Sequence, residues 1–190
     1  MGLVGGLIGF AVGQPSPTEA GTAQIREADA KRDVQQITEL TEMARETADQ
    51  LSPILRAIKQ DTDAGRTPEA SQVQQWQQTM RQLTEQFANP PSGMTATNVA
   101  RGGLRSAVDQ GAVAVDSVAL AVTSPAPARK NQLALAARQA ALASVTWSVA
   151  AAQLDQLNID AGHGHQHVYL DAGDAEGAFT PDGAAEGSDR

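Results

Sequence analysis

Three histidines in alternate positions near the C-terminus are the residues of this chain best suited to chemistry. His163, His165 and His167 are also the only histidines among its 190 residues. In an extended backbone, alternate side chains lie on the same side, about 6.6 Å apart. Neutral imidazoles bind zinc, copper(II) and nickel. One interpretation of the segment is therefore a transition-metal site.

The other interpretation is a polar linker in which the histidines have no ligand. The predicted helices contain no histidine, and no further cluster of carboxylates or histidines in them is placed to complete a closed site. A flexible segment would also lose about 1–2 kcal/mol of conformational free energy for each residue that it orders around a metal. The sequence alone therefore favours the linker, with micromolar-class metal binding at best and no cofactor.

Nothing in the helical part of the sequence predicts catalysis. The chain has no cysteine, which excludes thiolate nucleophiles and thiolate zinc sites. Its lysines are confined to three positions, and none follows a glycine-rich phosphate-binding loop. A Gly-x-Ser-x-Gly nucleophile motif is absent too. The net charge of −8 argues against nucleic-acid binding, which needs a concentrated basic face. We expect a protein that is not an enzyme and does not bind nucleic acid.

The first 17 residues form a glycine-rich apolar segment followed by a short linker. Residues 2–13 carry no charge, and as a helix they would span about 18 Å, less than a hydrocarbon core of about 30 Å. This length is typical of the apolar part of a signal peptide, although the basic part is missing before it, as if Met1 were not the true start. Gly5, Gly9 and Gly13 form a small-residue row suited to membrane contact. The segment predicts an exported or membrane-anchored protein; the alternative is the glycine-rich terminus of a cytoplasmic protein.

Apolar residues spaced three and four apart predict the first two helices, over 18–64 and 67–87. The two stripes consist of Ile37, Leu40, Ala44, Thr47, Leu51, Ile54 and Ile58, and of Val73, Trp76, Met80, Leu83 and Phe87. Pro53 lies inside the first stripe and predicts a kink or a break. Thr67 and Pro68 are suited to the N-cap and first turn of the second helix. Both heptad-like faces are candidates for binding a protein partner or a second copy of the chain.

Two further helices are predicted at about 95–122 and 128–157. Residues 112–122 also alternate in polarity, which leaves a strand as an alternative there. The fourth helix is apolar nearly all round, a pattern typical of a buried central helix. Trp147 should therefore be buried, and Trp76 should face a neighbouring helix. With short Pro- and Gly-containing turns between them, the helices predict an all-α antiparallel four-helix bundle over residues 18–158.

Residues 159–190 are rich in Gly, Ala and acidic residues, and this composition predicts a disordered tail. Abundant alanine, and arginine in excess over lysine, are typical of GC-rich bacterial genomes. The leading hypothesis is a non-enzymatic helical-bundle protein of the bacterial cell envelope with a structural or partner-binding role. The alternatives are a metal-binding accessory protein that uses its histidine tail and a cytoplasmic helical adaptor.

Overall fold

The computed structural model describes residues 17–173 and 175–188, and in this part of the chain it contains four α-helices and no strand. The helices are α1 (Pro17–Asp63), α2 (Ala70–Gln86), α3 (Thr95–Thr123) and α4 (Ala126–Asp160). The prediction of an all-α chain is confirmed, and residues 112–122 are helical. None of these helices is long and apolar enough to cross a membrane. The predicted signal peptide or membrane anchor lies outside the described residues.

Side-chain contacts fix the directions of the helices. The Asn158 amide donates to Thr41 Oγ1, and at the other end of the same pair Thr62 Oγ1 donates to the Leu133 carbonyl, so α1 and α4 are antiparallel. Two polar contacts between α3 and α4 give the same relation. So do the contacts of α2 with α3, where Gln77 bonds to Asp116 and Met80 lies next to Gly111. The arrangement is that of a helical bundle in which successive helices alternate in direction.

The two predicted stripes form much of the core. Every member of both stripes is buried, as is Trp147, which is fully enclosed. Trp76 is buried on α2 and belongs to the same hydrophobic cluster. Because α1 and α2 turn these faces toward their own bundle, the stripes are occupied by intramolecular packing and are not available to a partner.

Helix α4 is less buried than its composition predicts. Its Trp147 face is in the core, but Leu135, Leu142 and Val149 are exposed on another side. The prediction of a helix buried all round is therefore wrong. Periodicity identifies apolar faces, but it does not say whether the rest of the chain is large enough to cover them.

Helix α1 continues through Pro53 without interruption. Proline cannot donate to the carbonyl of Asp49, but both residues are exposed, so water can satisfy that carbonyl. The alternative of a break is therefore wrong for this helix, whereas a kink stays a prediction. The start of α2 also differs from its prediction: the helix begins at Ala70 with Glu69 at the N-cap position, not at Pro68.

The C-terminal strap, defined as residues 161–173 and 175–188, follows α4 and packs back onto α1 and α4. The Trp147 Nε1–H donates to the Val168 carbonyl at 2.6 Å, and Val168 and Ala172 are buried in the hydrophobic cluster. Arg56 of α1 pairs with Asp171. The prediction of a disordered tail is therefore wrong for the strap. A few specific contacts with α1 and α4 compensate for its low average hydropathy.

Two adjacent glycines of α3 provide a test of helix packing, because replacing each by alanine should change the free energy of unfolding differently. A Cβ at Gly103 would lie 2.8 Å from Ala150 Cβ, whereas a Cβ at Gly102 would meet nothing within 4 Å. We expect Gly102→Ala to raise the free energy of unfolding by about 0.5–1 kcal/mol through helix propensity. Gly103→Ala should not stabilise the protein, because the added methyl group would force α3 and α4 to separate. Urea unfolding measures both; equal stabilisation by the two changes would contradict the close approach.

Candidate metal site

The carboxylate of Asp155 lies on the buried side of α4. Asp155 is the only acidic residue of this helix before Asp160, and its side chain is 11% exposed. A carboxylate in such surroundings requires hydrogen bonds or a cation, because removing its charge from water is costly. Its two oxygens accept from the strap: Oδ1 from the backbone N–H of Gln166, and Oδ2 from His165 Nδ1 at 2.9 Å.

The strap folds back on itself next to Asp155. The backbone N–H of His165 donates to the Ser188 carbonyl, and the N–H of Gly187 donates to the His165 carbonyl, both at 2.8 Å. These two bonds close a loop whose returning end carries Asp182 and Glu186. The loop brings both carboxylates back to the histidines, although the two pairs of residues are far apart in sequence.

The resulting cluster contains two imidazoles and three carboxylates. One nitrogen each of His165 and His167 and one oxygen of Asp155 lie within 4.8 Å of one another. His167 Nε2 is 3.8 Å from Asp155 Oδ2 and 3.6 Å from Asp182 Oδ1. Asp182 Oδ2 is 3.9 Å from His165 Nδ1. The side chains of both histidines are largely buried, whereas Asp182 is exposed.

Glu186 orients the ring of His167. Its Oε1 accepts from the backbone N–H of His167 at 2.8 Å and lies 3.2 Å from Nδ1 of the same residue. Of the two neutral tautomers, a carboxylate next to Nδ1 favours the one with its hydrogen on that nitrogen. In that tautomer Nε2 has a lone pair and lies near Asp155 and Asp182. Among the residues that the structure describes, this buried Nε2 has no hydrogen-bond partner.

The charges of the cluster change two pKa values. The hydrogen bond to Asp155 raises the pKa of His165 above its usual value, with further contributions from the charges of Asp155, Asp182 and Glu186. The pKa of Asp182 is lowered, first by the hydrogen bond from the Ala184 N–H and then by the two histidines. Three carboxylates around the two imidazoles therefore favour a positive charge at this position, whether a proton or a metal ion.

His163, the third predicted ligand, lies outside this cluster. Its Nδ1 is 3.2 Å from Asn158 Oδ1. In its place the structure brings Asp155 of α4 and Asp182 of the strap to the other two histidines, so the helices contribute one carboxylate that the sequence did not predict there. A lone acidic residue in an otherwise apolar helix was the sequence feature that could have identified Asp155.

Gly164 offers a test of how the loop is closed. Its φ is +68°, and an added Cβ would overlap the Gly187 carbonyl group. Gly162 is a matched control, because its φ of +79° is similar but nothing lies within 4 Å of an added Cβ. Both alanine variants should incur about 1–2 kcal/mol of backbone strain. Only Gly164→Ala should also break the pairing, seen as faster hydrogen exchange at the His165 and Gly187 amides; equal exchange in the two variants would contradict this geometry.

The cluster offers imidazole nitrogens and carboxylate oxygens, the donor atoms that could hold a cation. Two imidazole nitrogens and one carboxylate already converge, and Asp182 is near enough to both rings to join them. Comparison of the chain with protein-family models, curated proteins and solved structures finds no match.

Proposed function

We propose that this chain is a metal-binding helical-bundle protein that holds a divalent transition metal through Asp155, His165 and His167. The observation that carries the proposal is the buried Nε2 of His167, which has no hydrogen-bond partner among the described residues and lies close to two carboxylates. An unpartnered buried nitrogen is costly in a metal-free protein and is the expected state of a ligand atom. Glu186 supports this role, because metal-binding histidines usually direct their second nitrogen to a carboxylate.

Zinc is the metal that this donor set fits best. Nitrogen and oxygen ligands around tetrahedral zinc lie about 3.4 Å from one another, given metal–ligand distances of about 2.0–2.2 Å. The distances from the histidine nitrogens to Asp155 and Asp182 range from 2.9 to 3.9 Å, and the two histidine nitrogens lie within 4.8 Å of each other. No thiolate is present to favour copper(I), whereas copper(II) and nickel share a preference for imidazole. Asp182 can rotate to provide the fourth ligand because it is exposed.

The metal would join three segments of the chain: α4, the outgoing part of the strap and its returning part. Such a cross-link stabilises the folded strap in the way that a disulfide does, by closing a loop that is otherwise mobile in the unfolded chain. With Asp182 as fourth ligand the coordination is complete, which suits a metal-holding role without catalysis. We infer a binding protein, not an enzyme, with the envelope location predicted from the N-terminal segment.

Isothermal titration of zinc into the intact chain tests this function. We expect one-to-one binding that is lost in a variant carrying His165→Ala and His167→Ala. His163→Ala is the matched control, because this histidine belongs to the same motif but lies outside the cluster; its variant should bind zinc as the wild type does. Copper(II) and nickel titrations establish the metal preference.

Two outcomes would overturn the proposal. Absence of saturable zinc binding by the intact chain would leave the cluster as an ion-pair network that only fastens the strap. Equal losses of binding in the double variant and in His163→Ala would indicate non-specific chelation by the histidine run, as expected for a polar linker.

Zinc binding should weaken as the pH falls. Asp155 raises the pKa of His165, so its imidazole becomes protonated at a pH above about 6.5, the usual value. Zinc must displace that proton, and below the raised pKa its apparent affinity should fall about tenfold per pH unit for each proton displaced. The measurement is the apparent Kd from about pH 8 to pH 5.5. A constant Kd over this range would show that His165 is not a ligand.

A further inference from the structure

A second feature of the molecule lies on α3 and α4, away from the metal cluster. Each helix carries exposed Val or Leu residues separated by multiples of seven, with exposed fractions from 42% to 61%. We call these six residues the outer stripe: Val99, Val113, Leu120, Leu135, Leu142 and Val149. Seven-residue spacing places the members of each row on one side of their helix.

Both rows lie on the same side of the α3–α4 pair. Val99 of α3 and Val149 of α4 line a common groove of about 590 Å³. The Ser117 hydroxyl donates to Gln139 and the Thr146 hydroxyl to Gln110, so the polar residues between the rows are paired with each other. The stripe is therefore an apolar surface whose central hydroxyl groups are paired with amide oxygens of the same chain.

The area of the outer stripe exceeds what isolated surface residues produce. Six Val and Leu side chains, each about half exposed, present roughly 500 Å² of apolar surface, at the upper end of patches on monomeric proteins. Phe179 of the strap adds to the patch, because it lines the groove with Val99 and is 54% exposed. Specific interfaces bury about 800 Å² per partner, and the outer stripe alone supplies roughly 500 Å² of such an area.

Two of the three residues in each row are at matching heights. The contacts of Ser117 with Gln139 and of Gln110 with Thr146 set the register of the antiparallel pair. In this register Leu120 is level with Leu135. About two helical turns further along, Val113 is level with Leu142. A two-fold axis parallel to the helices would therefore place the α3 row of one copy on the α4 row of the other, with apolar residues opposite apolar residues.

We propose that the outer stripe binds a second copy of this chain in a two-fold symmetric dimer. Such an interface requires a self-complementary patch, which the level rows provide. The exposed residues that flank the rows include an acid on α3, Asp116, and a base on α4, Arg138, so the contact does not bring charges of one sign together. Long-range repulsion between the copies remains, and we expect added salt to strengthen the dimer.

Sedimentation equilibrium with a chelator present tests the dimer independently of the zinc site. The wild type should have twice the 19.8 kDa mass of one chain. Leu142→Glu places a charge in the middle of the stripe and should reduce the mass to that of the monomer, with unchanged helicity because Leu142 is exposed. Ile25→Glu, a substitution of another exposed residue on α1, is the matched control and should leave the dimer intact.

Cysteine pairing tests the register, because the natural chain has no cysteine. A Leu120→Cys chain mixed with a Leu135→Cys chain should form a mixed disulfide, and more of it than Ile25→Cys forms with Leu135→Cys. A wild type that stays monomeric in concentrated solution would overturn the proposal. A dimer that survives Leu142→Glu would place the interface elsewhere and overturn it as well.

Discussion

Replacement of Asp155 by asparagine should weaken zinc binding more than about 100-fold. Loss of a carboxylate that merely supports a ligand typically costs about 10–100-fold in metal affinity, and Asp155 is proposed as a ligand itself. Asparagine keeps the size of the side chain, so the helix should pack as before. The loss would come from the missing negative charge and the poorer donor oxygen. Zinc titration measures it, and circular dichroism verifies that the helices are retained.

Asp160→Asn is the control for this change. Asp160 also lies at the end of α4, but its contact is a hydrogen bond from the exposed Gln156, and it does not belong to the cluster. Its variant should bind zinc with wild-type affinity. If Asp155→Asn bound zinc as tightly as Asp160→Asn, the α4 carboxylate would not be a ligand, and the histidines alone would account for binding.

The sequence predicts the histidine half of the site and misses the carboxylate half. His165 and His167 are adjacent in a short motif, so their proximity is a local property of the backbone. Asp155 and Asp182 come to them only because the strap folds back and pairs His165 with Gly187 and Ser188. Pairings between distant residues depend on a tertiary contact that no local pattern encodes.

The helices, like the adjacent histidines, are predicted well because a local pattern of the sequence determines them. The stripes of α1 and α2 repeat over many turns, and amphipathic periodicity is sufficient to place them in the core. The strap is predicted poorly because average composition dilutes the few residues that matter, chiefly Val168 and Ala172. The apolar rows of α3 and α4 form an intermediate case: their spacing is visible in the sequence, but their exposure depends on where the other helices pack.

Removal of the Trp147 side chain should have the largest effect on stability. The indole is fully buried, and truncation of a buried Trp to Ala typically costs about 3–5 kcal/mol through lost transfer free energy and a cavity. This is a large fraction of the stability of a domain of this size. Urea unfolding of Trp147→Ala followed by circular dichroism measures the change. Wild-type stability in this variant would contradict the central position of Trp147.

Trp147→Phe separates the packing of this residue from its hydrogen bond. Phenylalanine fills most of the volume but cannot donate to the Val168 carbonyl, which lies next to His167 in the strap. The free energy of unfolding should fall by about 1–3 kcal/mol, the cost of an unsatisfied buried carbonyl. Because the same bond holds the strap against α4, zinc affinity should fall too, whereas Trp76→Phe, on α2, should leave it unchanged. Wild-type zinc affinity in Trp147→Phe would show that the ligands of the strap are positioned without this bond.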